Sequence, residues 1–284
     1  MPHSSEPATP ALQAADPSVV RLVQITDCHI QGAPRDRLKG MNTRASLEAI
    51  CQTILADNDN LDLVLATGDL SQDGSVASYA YLAQQLFELR LPVFWLPGNH
   101  DDPGVMREKL DSGQLSAAKQ VLIGNWLIVL LDSTIRGETA GNVSREQIEF
   151  LHTSLRAHPQ HHALVCLHHH AMPAGSLWID RLGLQQPHAL QAALKSQPNI
   201  RAVLWGHVHQ QSHQHHDGIE WISSPSTCVQ FKPGSDEFAL DNLPPGYRQL
   251  NLHADGRIDT RVARLANFDF DSSFDFDTAA NMPR

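Results

Sequence analysis

Five short polar motifs, each placed after an apolar run, contain the residue types that bind divalent metal ions. They are Asp27-Cys28-His29, Gly68-Asp69, Gly98-Asn99-His100-Asp101, His168-His169-His170 and Gly206-His207-Val208-His209. Carboxylate, imidazole and amide groups are typical ligands of first-row divalent metals. Each motif alone is common in ordinary loops. Five of them in this order predict a two-metal site, whose characteristic chemistry is the metal-assisted hydrolysis of phosphate esters.

The candidate metal ligands in these motifs are Asp27, His29, Asp69, Asn99, His168, His207 and His209. Asp27 and His29 are two residues apart, so they would point to the same side of an extended chain, and His207-Val208-His209 repeats this spacing. The carboxylate of Asp69 has two oxygens and can bridge two cations, which gives each metal four protein ligands. His100 is left outside this set and can protonate a leaving oxygen.

The segments around the motifs indicate an α/β fold. Strands are predicted at residues 19–26, 61–67 and 93–96, with helices from 42 or 43 to about 57 and over 75–89. This alternation predicts parallel crossover units. Turns at Gly124-Asn125 and Asp255-Gly256 predict hairpins. Further along the chain we expect a helix over 144–156 and strands at 163–167 and 202–205.

Together these elements predict two packed mixed β-sheets flanked by helices, a four-layer α/β/β/α sandwich. Each polar motif follows a predicted strand, and ligands of α/β proteins gather at the carboxyl ends of strands. We expect one domain over residues 18–266, between an N-terminal tail at 1–17 and a C-terminal tail at 267–284. The N-terminal tail is expected to be disordered or loosely docked. The C-terminal tail alternates Phe and Asp, and it either docks through its Phe side chains or is disordered.

Composition limits the partners and the location. The net charge of −10 disfavours binding to nucleic acid or to an anionic membrane surface. The sequence contains no run of ~18 or more apolar residues, so no membrane-spanning helix is expected. The four cysteines lack paired spacing, which suits a reducing compartment, and the N-terminus lacks signal-peptide features, so a cytoplasmic location is expected. Among the 17 histidines, His213, His215 and His216 lie in a polar run and are expected at the surface.

In order and spacing the motifs resemble the calcineurin-like metallophosphoesterases. Four stretches narrow the resemblance to the bacterial class III cyclic-AMP phosphodiesterases: 68–74 (GDLSQDG), 167–170 (LHHH) with 173–175 (PAG), 204–210 (LWGHVHQ) and 225–231 (PSTCVQF). The resemblance covers roughly residues 19–265. The family usually has Pro soon after the His run, whereas Ala171-Met172 intervene here. Matching through Pro173 assigns His168 as the ligand, and His170, on the same side of a strand, is the alternative.

The resemblance implies a dinuclear phosphodiesterase that converts 3′,5′-cyclic AMP to 5′-AMP. One metal would be held by Asp27, His29, Asp69 and His209, and the other by Asp69, Asn99, His168 and His207. These would be two divalent or mixed-valence ions, with iron or manganese favoured and zinc possible. A metal-bridging hydroxide would attack in line, with His100 as general acid. The implied substrate contacts are His29, Asp69, Asn99, His100 and His209.

Two alternatives stay open. The first is a broader phosphodiesterase acting on glycerophosphodiesters or other small diesters. The second is a non-catalytic metal- or nucleotide-binding module, which is disfavoured because structural metal sites are normally closed. The sequence does not set the oligomeric state.

Contacts beyond the metal ligands are less defined by the sequence. Trp178 and Met172 are candidate adenine contacts. Asp73 and Arg44 are candidates for contacts to the ribose or to the metal ligands, and Cys28 is expected to pack beneath the site.

Overall fold

The computed structural model describes residues 9–57, 60–266 and 268. In chain order its strands are β1 (Ala11–Leu12), β2 (Val19–Ile25), β3 (Leu63–Thr67), β4 (Val93–Leu96), β5 (Leu115–Ser116), β6 (Gln120–Ile123), β7 (Trp126–Leu130), β8 (His162–Cys166), β9 (Ile200–Trp205), β10 (Ser212–His216), β11 (Ile219–Ser223), β12 (Gln230–Phe231), β13 (Leu240–Asp241), β14 (Gly246–His253) and β15 (Ile258–Arg264). The helices are α1 (Thr43–Asp57), α2 (Val76–Glu88), α3 (Pro103–Lys109), α4 (Arg145–Ala157), α5 (Leu177–Asp180) and α6 (Pro187–Lys195).

Most of these strands form two mixed sheets. One has six strands in the order β15-β14-β2-β3-β4-β5, and the other has seven in the order β1-β6-β7-β8-β9-β11-β10. Strands β2, β3 and β4 run parallel, as do β7, β8 and β9. The pairs β6–β7 and β14–β15 are antiparallel, which confirms both predicted hairpins. The predicted α/β fold with two mixed sheets is therefore confirmed.

Apolar residues on both faces of the central strands produce the layers. In β3, Leu63 and Leu65 pack between the two sheets, whereas Val64 and Ala66 pack against the helices α1 and α2. A strand buried on both faces reads as a continuous apolar run, as the sequence of β3 does. Helices α4 and α6 cover the outer face of the seven-stranded sheet in the same way. Three apolar layers thus separate four layers of backbone.

Local signals explain where several elements begin. Helix α2 starts after Ser75, whose hydroxyl accepts the N–H of Ser78 at 3.1 Å. Helix α3 was not predicted, although Asp102 caps it and Pro103 occupies its first position. The prediction that His213, His215 and His216 lie at the surface is confirmed, because all three are exposed. They nevertheless form the edge strand β10, which pairs with β11.

The predicted tails are only partly covered by the structure. Strand β1, inside the predicted N-terminal tail, pairs in parallel with β6, and the domain boundary at residue 18 stays a prediction. The C-terminal tail lies outside the described residues except for Phe268, which packs against apolar residues of the core. Among the helices that the structure describes, none has both the length and the apolar character needed to cross a membrane.

Candidate active site

The five polar motifs lie together, at the carboxyl ends of strands from both sheets. Strands β2, β3 and β4 lead into the first three motifs, and β8 and β9 lead into the other two. Hydrogen bonds join these loops across the sheets. The Nδ1–H of His168 donates to the carbonyl of Thr67 at 2.9 Å. The backbone N–H of His207 lies 3.0 Å from both carboxylate oxygens of Asp27.

Asp27, His29 and His209 form one buried group whose ligand atoms lie within 4.8 Å of one another. His209 Nε2 is 3.4 Å from Asp27 Oδ1 and 3.2 Å from His29 Nε2. His209 Nδ1 lies 2.8 Å from the carbonyl of Val229, and His29 Nδ1 lies 2.7 Å from Oε1 of Gln72. Each Nδ1 therefore carries the hydrogen, so the two Nε2 lone pairs face one another. A shared cation would relieve their repulsion.

A second group surrounds His168. Its Nε2 lies 3.4 Å from Oδ2 of Asp69, and this is the nitrogen left for a metal because Nδ1–H is bonded to Thr67. Three buried atoms here have no hydrogen-bond partner among the described residues: Nε2 of His168, Nε2 of His207 and Oδ1 of Asn99. Leaving a buried polar atom unpaired is costly. All three atoms belong to predicted ligands, and their chemistry fits a metal ion.

Asp69 lies between the two groups. Its Oδ2 is 3.4 Å from His168 Nε2 and 3.7 Å from His29 Nε2, and its Oδ1 accepts the backbone N–H of His100 at 2.9 Å. Burial favours a raised pKa for Asp69, but the charge and hydrogen bond of His168 hold its pKa well below the ordinary value. Burial lowers the pKa of His168, yet the charge of Asp69 raises it to about 9. The surroundings of Asp69 therefore favour positive charge.

Burial keeps two other predicted ligands, His29 and His207, in the neutral form. Burial lowers the pKa of His29 to about 3 and also holds the pKa of His207 well below its ordinary value. A neutral imidazole is the form that binds a metal. For His29, the lowered pKa agrees with the lone pair assigned to its Nε2.

Backbone strain is concentrated at the predicted ligands. Eight described residues other than glycine have positive φ, and five of them are Asp27 (54°), His29 (46°), Asp69 (49°), His207 (66°) and His209 (47°). Such conformations cost ~1–3 kcal/mol each and cluster at functional sites. We expected Asp27 and His29, and likewise His207 and His209, to point to the same side of an extended backbone, and this expectation is wrong. Each loop turns through a left-handed conformation at the ligand itself.

Glycines in the motifs leave room for the carboxylates. A Cβ on Gly98 would lie 2.2 Å from Oδ1 of Asp69, and a Cβ on Gly206 would lie 2.6 Å from Oδ2 of Asp27. Both distances are far below van der Waals contact. The motifs therefore contain glycine because the neighbouring backbone approaches the carboxylates closely.

Replacing Gly98 with alanine should displace Asp69 and reduce metal binding. A displacement of about 1 Å in a catalytic group can lower activity about 100-fold. The measurement is metal content and phosphodiesterase kcat/KM after reconstitution. Gly104→Ala is the matched control, since its Cβ would meet only the side chain of Asp102 at 3.1 Å. Two tightly bound metals and full activity in Gly98→Ala would contradict this role.

Several groups that orient the predicted metal ligands were not predicted from the sequence. Gln72 and the carbonyls of Thr67 and Val229 orient three predicted ligands through Nδ1. Such outer partners fix the tautomer and the ring orientation of metal-binding histidines. Gln72 and Val229 lie in stretches that carried the family resemblance, but a backbone carbonyl has no sequence signal of its own.

Asp101 also positions the site and was not predicted to do so. Its carboxylate accepts the backbone N–H groups of Leu70, Ser71 and Gly98 and the hydroxyl of Tyr79, at 2.8 to 3.2 Å. It therefore ties the loop after β3 to the loop after β4. Its position directly after His100, in the third motif, is the sequence feature that could have indicated this role.

The other members of the His run have structural partners. The ring of His169 lies 2.9 Å from the hydroxyl of Ser133 and 3.1 Å from the carbonyl of Thr139, so both of its nitrogens are bonded. His170 stacks on the ring of His207, with centroids 5.7 Å apart, and belongs to none of the possible metal-binding groups in the described part of the chain. The geometry therefore favours His168 over His170 as the ligand.

A cavity of about 440 Å³ opens onto the site, a size typical of small-molecule pockets. Its lining includes all the predicted substrate contacts: His29, Asp69, Asn99, His100 and His209. His100 is exposed, and its ring packs edge-on against that of His29 at 5.0 Å. Trp178 also lines the cavity.

Four other residues singled out from the sequence lie elsewhere. Met172 packs against the apolar layer beneath α4 and α6, and Cys28 is fully buried beneath the site, as expected. Arg44 donates to the carbonyls of Gln31 and Gly32, and Asp73 accepts the N–H of Gly32 at 2.8 Å. Arg44 and Asp73 therefore hold the loop after β2 and are not among the described residues that line the cavity.

Comparison with known proteins agrees with this geometry. Residues 20–211 match the family described as Calcineurin-like phosphoesterase. The 3',5'-cyclic adenosine monophosphate phosphodiesterase CpdA of Pseudomonas aeruginosa is 41% identical over 278 residues, 98% of either chain. CpdA of Escherichia coli K12 is 42% identical over 270 residues, 95% of this chain and 97% of that one.

Solved structures add evidence on the fold. The crystal structure of a dimetal phosphatase from Danio rerio covers 87% of this chain and 99% of its own, with a TM-score of 0.60. Its 16% sequence identity limits that likeness to the fold. Family match, sequence relatives and fold agree, and the chain belongs to the calcineurin-like phosphoesterase family.

Proposed function

We propose that the protein hydrolyses 3′,5′-cyclic AMP to 5′-AMP with the help of two metal ions. The observation that carries the proposal is the pair of buried ligand groups that share Asp69 at the base of an open cavity. The activity in the printed names of relatives at 41% and 42% identity supports the choice of substrate.

The proposed ligand sets follow the two groups. One metal would be held by Asp27, His29, Asp69 and His209, and the other by Asp69, Asn99, His168 and His207. When bound, two such cations neutralise charge on the phosphate and activate water as the nucleophile. The donors are nitrogen and oxygen without thiolate, which suits iron or manganese and also permits zinc.

His100 is the proposed general acid. It lines the cavity, and its backbone N–H is held by Asp69. The oxygen of a water molecule forms a bond to phosphorus and releases a proton to the solvent, while the bond from phosphorus to the ribose 3′ oxygen breaks. The imidazole N–H of His100 gives its proton to that 3′ oxygen, which leaves a 5′ phosphomonoester. Asn99 and His209 also line the cavity and contact the phosphate in this proposal.

A substrate panel tests the proposed function. Protein reconstituted with Mn²⁺ or Fe²⁺ is assayed on 3′,5′-cyclic AMP, 3′,5′-cyclic GMP, 2′,3′-cyclic AMP, a glycerophosphodiester and an aryl diester. We expect the highest kcat/KM with 3′,5′-cyclic AMP, with 5′-AMP as product. Equal or faster turnover of the glycerophosphodiester or the aryl diester would instead support a broad phosphodiesterase. Two bound metals without turnover of any of them would support a binding module.

We also propose that the enzyme works in the cytoplasm. All four cysteines are buried free thiols, and burial raises the pKa of Cys51 and Cys228 to about 12. Buried thiols of this kind are typical of reducing compartments. The buried free thiols therefore support a cytoplasmic location, and they have no role in the proposed hydrolysis.

A further inference from the structure

Three aromatic side chains line the cavity beside the predicted metal ligands: Trp178, Phe231 and Phe238. The ring centroids are 5.1 Å apart for Trp178–Phe231, 5.1 Å for Trp178–Phe238 and 5.4 Å for Phe231–Phe238. All three contacts are edge-to-face, an arrangement that aromatic rings prefer. We call this cluster the aromatic wall.

The aromatic wall is joined directly to the metal site. Phe231 stacks on the ring of His209, with centroids 3.9 Å apart and planes 7° from parallel. The carbonyl of Val229, two residues earlier, accepts the Nδ1–H of the same histidine. One short segment therefore orients a predicted metal ligand and supplies part of the wall.

The aromatic wall presents exposed ring surface to the cavity, and its indole N–H is unpaired among the described residues. Its three residues are only partly buried, so aromatic surface faces the cavity. The Nε1–H of Trp178 is shielded from solvent and has no acceptor in the part of the chain that the structure describes. A buried donor without a partner is costly unless a ligand supplies the acceptor.

Positive charge lies at the same end of the cavity. Lys39 Nζ is 5.1 Å from the ring centroid of Phe238, and Arg37 also lines the cavity. A flat, partly polar ligand that carries a negative charge would contact the rings, accept the indole N–H and be attracted by the two cations. A nucleotide has this combination.

We propose that the aromatic wall binds the purine base of the cyclic nucleotide and sets the preference for nucleotide over simple diesters. The rings of Trp178 and Phe238 contact the base, and Trp178 Nε1–H donates to one of its ring nitrogens. Phe231 acts as a positioning residue because its face is already stacked on His209. This inference rests on the proposed function and adds the residues that recognise the base.

The test compares cyclic AMP with a base-free substrate, methyl riboside 3′,5′-cyclic phosphate. Contact between an aromatic side chain and a base typically changes affinity by about tenfold or more. We expect the wild type to prefer cyclic AMP by at least about tenfold in kcat/KM. Trp178→Ala and Phe238→Ala should bring this ratio close to unity, mainly through KM for cyclic AMP. Trp178→Phe, which keeps a ring but loses the N–H, should lower it less.

Phe87→Ala is the matched control, because Phe87 lies on α2 with 42% of its surface exposed and does not line the cavity. It should keep the wild-type ratio. An unchanged ratio in both Trp178→Ala and Phe238→Ala would overturn the proposal. A wild type that turns over both substrates equally well would overturn it too.

A binding measurement separates this proposal from the proposed function. Addition of 5′-AMP to the metal-loaded protein should quench tryptophan fluorescence, and Trp178→Phe should lose most of that signal. If the wild type bound 5′-AMP in this way but hydrolysed no cyclic AMP, the aromatic wall would be supported and the proposed function would fail. Quenching that persisted unchanged in Trp178→Phe would overturn the role of the wall.

Discussion

Asp69→Ala should lose both metal ions and at least about a thousandfold in kcat/KM for cyclic AMP. Metal ions supply several kcal/mol of transition-state stabilisation, and each 1.4 kcal/mol is a factor of about ten. The position of Asp69 explains why replacing one side chain should affect both metal ions and His100. Oδ2 of Asp69 lies near both His29 and His168, and Oδ1 holds the backbone of His100.

The measurement is metal content after reconstitution, together with turnover. Asp69→Asn keeps the shape but lowers the charge, so it should retain the fold and bind the two ions more weakly. Asp236→Ala, at an exposed carboxylate, is the control for the loss of an acidic residue and should behave as wild type. Retention of two ions by Asp69→Ala would contradict the bridging role.

His100→Ala should lower kcat for cyclic AMP by about 10²- to 10⁴-fold, the usual contribution of a general acid, while metal content stays at two. The alkoxide leaving group of cyclic AMP needs a proton. An aryl diester has a leaving group that is stable without one, so its turnover should fall much less. This contrast distinguishes proton donation from general damage to the site.

The ring of His100 also lies within reach of His29 and Asp69, as one of the possible metal-binding groups. Metal content therefore decides between an acid and a ligand. Loss of a metal ion in His100→Ala would contradict the acid role, and so would an equal loss of turnover on both substrates. His188→Ala, at an exposed histidine on α6, is the matched control.

Strongly patterned elements were predictable from the sequence. The strand at 93–96 has the predicted bounds, and Ser75 caps α2 at the predicted start. The meeting of the motifs was also predictable, because the carboxyl ends of parallel strands collect loops at one edge of a sheet. Strand β10 was missed because its exposed polar residues show no alternation of buried and solvated positions.

The finer geometry of the site depends on contacts between distant segments. Asp27 and His207 have left-handed backbone and are joined by a hydrogen bond between loops of the two sheets. The spacing in the sequence indicated these residues, but it did not predict this backbone conformation. Phe231 and Phe238 reach Trp178 from more than 50 residues away, which local pattern cannot show. Met172 and Trp178 both pack against the apolar layer beneath α4 and α6, but Met172 is not among the described residues that line the cavity.

Titration of metal-stripped protein with Mn²⁺ tests the central claim most directly. Cyclic AMP turnover is measured as the metal is added in increments, with bound metal quantified at each step. Two ions held in adjoining groups that share Asp69 predict that turnover reaches its plateau at two equivalents per chain. A plateau at one equivalent, or undiminished turnover in the stripped protein, would contradict the account.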